Sequence, residues 1–109
     1  MSKYNMSYWF EHGGFCVWGK DDHTRNKYGY AIEVNKLPIS RALKNQLEGL
    51  ETEYGTFLDW QDPRRPSPWS KEHKLDFMCR ATVAYENLKN ELGDDYEIIN
   101  EAYTSILGD

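Results

Sequence analysis

The sequence predicts an α+β domain in which a small antiparallel sheet of three to four strands packs against two main helices. Three observations carry that prediction. Near the start, aromatic and β-branched runs flank Gly13-Gly14, which is hairpin chemistry. Further on, Leu43, Leu47, Leu50 and Tyr54 recur at spacings of four, three and four, the period of one helix face. Met78, Ala81, Tyr85, Leu88 and Leu92 repeat that period in a second stretch. A chain of 109 residues at this composition is expected to fold as one domain, residues 1–109.

Taken in order, Tyr8 to Glu11 and Phe15 to Trp18 read as the arms of the hairpin, because glycine supplies the positive φ that a tight turn needs. Lys20 to Tyr28 reads as a polar connection, and Gly29 to Val34 alternates enough to be a third strand. Ser40 is a good N-cap for a helix that ends at Gly55. The run from Thr56 to Trp69 holds three prolines and two tryptophans, which excludes regular helix or central strand and predicts a loop pinned by aromatic side chains. Ser67 or Ser70 then caps the second long helix, with Phe77 and Ala84 beside its apolar face, and Gly93 stops it. Tyr96 to Asn100 is expected to return to the sheet as a fourth strand, and Glu101 to Leu107 to form a final helical turn or a frayed tail.

Composition narrows the function. Aromatics make up 15% of the chain, so it carries the side chains that bury most area and is expected to fold. No apolar run approaches the ~20 residues of a membrane span, and the first ten residues lack the pattern of a signal peptide, so a cytoplasmic location is expected. Cys16 and Cys79 show neither CxxC spacing nor the density of a disulfide scaffold, and read as reduced, half-buried thiols. The formal net charge is −5: residues 1–69 carry nine acids and nine bases, whereas residues 70–109 carry nine acids and four bases. The densest cluster is Glu91, Asp94, Asp95, Glu97 and Glu101, with Lys89 the base nearby in sequence. Direct nucleic-acid binding is not expected of such a chain, because affinity for phosphates rests on Lys and Arg. A basic protein partner suits it better.

Catalytic signatures are weak. His12, His23 and His73 lack partners at motif spacing and read as surface histidines, and a zinc site from His12, His23, Asp21 and Asp22 lacks the usual ligand spacing. There is no GxxxxGK[ST], GxGxxG or GxSxG, so the sequence predicts neither an enzyme nor a cofactor or metal. Trp18, Trp60 and Trp69 read as core or loop anchors rather than stacking platforms, and Arg64-Arg65 is too small a basic patch for nucleic acid.

The phrases HGGFCVWGKDD, LPIS, LDWQDP, PSPWS and ELGDDYEI follow one another in an order that resembles the small bacterial immunity proteins of contact-dependent growth inhibition systems. Trp18, Leu37, Pro38, Asp59, Trp60, Trp69 and Gly93 carry the resemblance, which spans roughly Phe10 to Ile99. It implies a protein that binds its cognate toxin domain one-to-one and blocks the active site or substrate access; such toxins are commonly nucleases, which are basic where they hold phosphate. Charge clustering then nominates Asp21, Asp22, Asp94, Asp95 and Glu97 as the partner-binding set, with Trp60 or a nearby Tyr as aromatic anchor. A generic interaction or regulatory module with a non-toxin partner is the alternative.

Overall fold

A computed structural model describes residues 3–11, 14–57 and 67–102. Strand β1 (Tyr4–Glu11) and β2 (Phe15–Gly19) form the expected hairpin, with Gly14 at φ +89° in the turn. Gly13 and His12 lie outside the described residues. Helix α1 (Asp22–Tyr28), the short strand β3 (Ala31–Ile32), helix α2 (Arg41–Tyr54), helix α3 (Lys71–Leu92) and strand β4 (Tyr96–Asn100) follow. The sheet order is β3-β2-β1-β4.

The α+β class, the four strands and the two main helices are those expected, but the sheet is mixed rather than wholly antiparallel. β1 pairs with β2, and β2 with β3, antiparallel; β4 runs parallel to β1, with Met6 opposite Ile98. The reason is connectivity. A tight turn reverses the chain and forces antiparallel pairing, whereas β4 arrives after two helices have crossed the sheet and enters at the far edge.

Two further departures concern the segment after β2. Lys20 to Tyr28 is no mere connection, since most of it is α1, capped by Asp21, whose Oδ1 accepts the Thr24 N–H at 2.9 Å. The expected third strand over 29–34 shrinks to Ala31–Ile32, because Gly29, at φ +92°, ends α1 and Val34–Lys36 turns into a 3-10 helix.

The core lies between one face of the sheet and α2 with α3. Alternation along β1 sends Met6, Tyr8 and Phe10 into it, where they meet Val17, Ile32 and Ile98 of the other strands, all buried. The predicted stripe of α2 is buried as read: Leu43, Leu47, Leu50 and Tyr54. In α3 the buried line is Phe77, Ala81, Ala84, Leu88 and Leu92, while Met78 and Tyr85 flank it half-buried. Ser70, not Ser67, caps α3, its Oγ accepting the His73 N–H at 3.0 Å. Phe10 packs edge-on against Phe77 at 5.0 Å between ring centres and lies 5.6 Å from Tyr54, so one strand residue engages both helices.

Trp69 is a pin, as expected: it is buried, its Nε1 donates to Thr56 Oγ1 at 2.8 Å, and it stacks on His73 at 3.9 Å. Trp60, the other expected pin, lies outside the described residues. Trp18 is also an anchor, stacked on Trp9 at 4.4 Å and donating to the Trp9 carbonyl. Both cysteines are free thiols; Cys16 is buried, but Cys79 is exposed on α3, contrary to its expected half-burial.

Truncating Phe77, fully buried at the crossing of β1, α2 and α3, removes a large aromatic from a close-packed site. Phe77→Ala is expected to lower unfolding free energy in urea by ~3–5 kcal/mol. Val83→Ala, on the exposed side of the same helix, should shift it by less than ~0.5 kcal/mol.

Candidate interaction surface

The parallel pairing of β1 with β4 places Asn5 opposite Glu97 and Ser7 opposite Ile99, on the sheet face turned away from α2 and α3. Two clefts border Glu97. One, of about 310 Å³, is lined by Asn5, Met6, Lys20, Asp21, Glu97 and Ile99. The other, of about 520 Å³, runs beside β4 where α3 ends, and takes in Lys3, Lys89, Gly93, Asp94, Tyr96 and Glu97 among its walls. Thus Asp21, Asp94 and Glu97, far apart in sequence, are brought to one end of the sheet. Asp22 and Asp95 are their exposed sequence neighbours, in the first turn of α1 and in the 3-10 turn 93–95. Trp60, the expected anchor, lies outside the described residues.

The five carboxylates are not equivalent. Asp21 is held on both oxygens: Oδ1 by the Thr24 N–H and Oδ2 by Asn5 Nδ2 at 2.5 Å. These hydrogen bonds, that from Asn5 foremost, stabilise the ionised form and hold its pKa down to about 2. The side chains of Asp22, Asp94, Asp95 and Glu97 enter no hydrogen bond or ion pair among the described residues. Glu91, in the densest sequence cluster, serves the fold instead. It accepts from the Ser40 N–H and Oγ at 2.6 and 2.9 Å, tying the end of α3 to the start of α2. Sequence reading also missed Lys3 and Lys20, which the strand pairing sets among the acids beside Lys89.

A second acidic cleft, of about 220 Å³, lies at the opposite end of β2, among Gly14, Phe15, Glu33, Val34, Asn35, Glu48 and Glu51. Its acids hold structure together as well. Glu48 accepts from Asn35 Nδ2 at 3.2 Å, and Glu51 is hydrogen-bonded by both the backbone and the thiol of Cys16. Desolvation raises the Glu51 pKa to about 7 despite those bonds, with Glu48 adding a smaller repulsion.

His73 is more than a surface histidine: its Nε2 lies 2.9 Å from Glu53 Oε2, and Arg80 grips the same carboxylate with both Nη atoms at 2.6 Å. Arg80 foremost, and then His73, holds the Glu53 pKa down to about 2. His23 stacks on Tyr4 at 4.7 Å. Among the described residues no three His, Cys, Asp or Glu side chains converge in a way that would hold a metal ion. No described helix is long and apolar enough to cross a membrane.

A carboxyl group whose pKa is higher folded than unfolded stabilises the fold only while it is protonated. The contribution of Glu51 is therefore full below about pH 4.5 and disappears as pH rises through about 7. Compared with Glu51→Gln, the unmodified protein should lose ~1–2 kcal/mol more stability between pH 5 and pH 8, after discounting for the solvent that reaches this carboxyl. Parallel urea curves for the two proteins across that range would contradict the assignment.

No curated protein matches this chain at a significant level. A family model described as Serratia CdiI immunity protein-like matches residues 5–103, a span running from β1 through β4. The chain belongs to the Serratia CdiI immunity protein-like family, and so is an immunity protein of a contact-dependent growth inhibition system.

Proposed function

We propose that this immunity protein acts in the cytoplasm by binding the toxin domain of its own system one-to-one, covering that domain's active site or its substrate access. The toxin in this reading is a nuclease with a basic phosphate-holding surface. The observation that carries it is the gathering of Asp21, Asp94 and Glu97 around two adjoining clefts, with Asp22 and Asp95 alongside. Carboxylates at the surface speed the approach of a basic partner and penalise partners of the wrong charge pattern. Inhibition here is occupancy, with no chemistry by the immunity protein. Trp60 keeps its proposed role as aromatic anchor within this set.

Co-expression with the toxin domain encoded beside it should restore growth of cells that the toxin alone kills. Raising salt from about 50 to about 300 mM should slow association, since the Debye length falls below ~10 Å. Asp94→Lys with Asp95→Lys should weaken the complex by ~10-fold or more while leaving the melting temperature unchanged. Unaltered affinity in that double variant would remove both residues from the interface.

A further inference from the structure

The acids around Glu97 lie beside a sheet edge, and the edge has its own chemistry. In the β1–β4 ladder the Glu101 N–H donates to the Tyr8 carbonyl at 2.8 Å. Backbone groups alternate sides along a strand, so Glu97, Ile99 and Glu101 turn theirs toward β1, and Tyr96, Ile98 and Asn100 turn theirs outward. Two outward groups are already engaged, the Ile98 carbonyl by the Tyr85 hydroxyl at 2.7 Å and the Tyr96 N–H by the Gly93 carbonyl, which leaves the Ile98 and Asn100 N–H groups for an added strand. No described strand borders this side of β4. Beside it lies the 520 Å³ cleft, walled by Lys89, Asn90 and Gly93 opposite Tyr96 to Ile99. Ile99 adds an apolar contact, 43% exposed on the open face.

We propose that β4 accepts an extended, basic segment of the toxin domain as a fifth strand, an inference that rests on the toxin-binding reading above. The mode is strand addition, in which backbone hydrogen bonds give affinity and side chains at alternate positions give selectivity. Charge decides the occupant. A second copy of this chain paired edge to edge would bring two acidic chains together, with Asp94, Asp95 and Glu97 of each beside the shared edge, and charged residues of this kind protect natural sheet edges from self-association. A basic strand meets the same carboxylates with attraction, which Lys3 and Lys89 in the cleft reduce but, against Asp94, Asp95 and Glu97, do not cancel.

The test is amide hydrogen exchange by NMR on the full chain, alone at two concentrations and with the toxin domain. The amides of Ile99 and Glu101, already turned toward β1, are the internal reference. Expected is a slowing of at least ~10-fold at Ile98 and Asn100 that appears only with toxin. A second arm compares Asn100→Pro with Asn100→Ala. Both lose the side-chain cap on the Ala102 N–H, and only proline also deletes an outward donor. The proline variant should bind the toxin at least ~10-fold more weakly than the alanine variant. A tight complex with no change at Ile98 and Asn100 overturns strand addition and leaves neutralisation standing. Slowing that rises with concentration in the absence of toxin assigns the edge to a second copy and also overturns it. Absence of any complex removes the toxin-binding reading itself and this inference with it.

Discussion

The position of β1 is the constraint on which the rest of the molecule depends, because both of its edges and both of its faces are occupied. Its edges pair with β2 and β4. One face delivers Met6, Tyr8 and Phe10 to the helices; on the other, Ser7 is buried and Trp9 carries the stacked Trp18. Tyr8 shows how tightly this face is specified. A buried phenol needs a partner for its hydroxyl, and the carbonyl of Ala81, in the middle of α3, provides it at 2.9 Å. Burial correspondingly pushes the Tyr8 pKa well above its ordinary value, so the group stays a neutral donor. That one bond, with Phe10 wedged between Tyr54 and Phe77, sets the rotation of α3 and the depth of α2.

From that centre outward, polar contacts take over from apolar ones. Where α2 ends, Glu53 is shared by Arg80 and His73 of α3; His73 lies flat on Trp69, and Trp69 is bonded to Thr56 just beyond α2. The Glu53–Arg80 pair is half-exposed and bidentate, so it is worth more than a solvated surface pair without the full desolvation cost of a buried one. Ser67, where the described chain resumes after Phe57, donates to the Phe57 carbonyl. The two ends of the proline-rich segment are thereby fixed to the same corner of the helix pair.

Much of this is legible in the residues, and what is not has physical causes. The leucine stripe of α2, the caps at Ser40 and Ser70, the hairpin and the strand Tyr96–Asn100 follow from periodicity and turn chemistry, which are local. Helix α1 escapes such a reading because it is short and polar, burying only Thr24 and Tyr28; its signals are an Asp cap, an acid in the first turn and bases in the last. The direction of β4 is not readable, since alternation tells which side chains face the core but not which way the strand runs. The surface around Glu97 depends on that direction: Asp94 and Asp95 are near it in sequence, but Asp21 reaches it only through the pairing of Asn5 with Glu97.

The carboxylates of this acidic protein divide by what the fold asks of them. Asp21 caps a helix, Glu53 clamps two, Glu91 joins α3 to the start of α2, and Glu51 holds β2 through Cys16. Replacing any of these changes the fold as well as the surface, so binding data on them mix two effects. The side chains of Asp22, Asp94, Asp95 and Glu97 bond to nothing among the described residues, although Asp22 suits the first turn of α1. Their mutual repulsion opposes folding slightly; Lys3, Lys20 and Lys89 offset it in part, and a basic partner would offset the rest. A cluster of like charges that makes no side-chain bond within the described residues, beside a strand edge that no described strand borders, therefore has its physical rationale in the complex more than in the monomer.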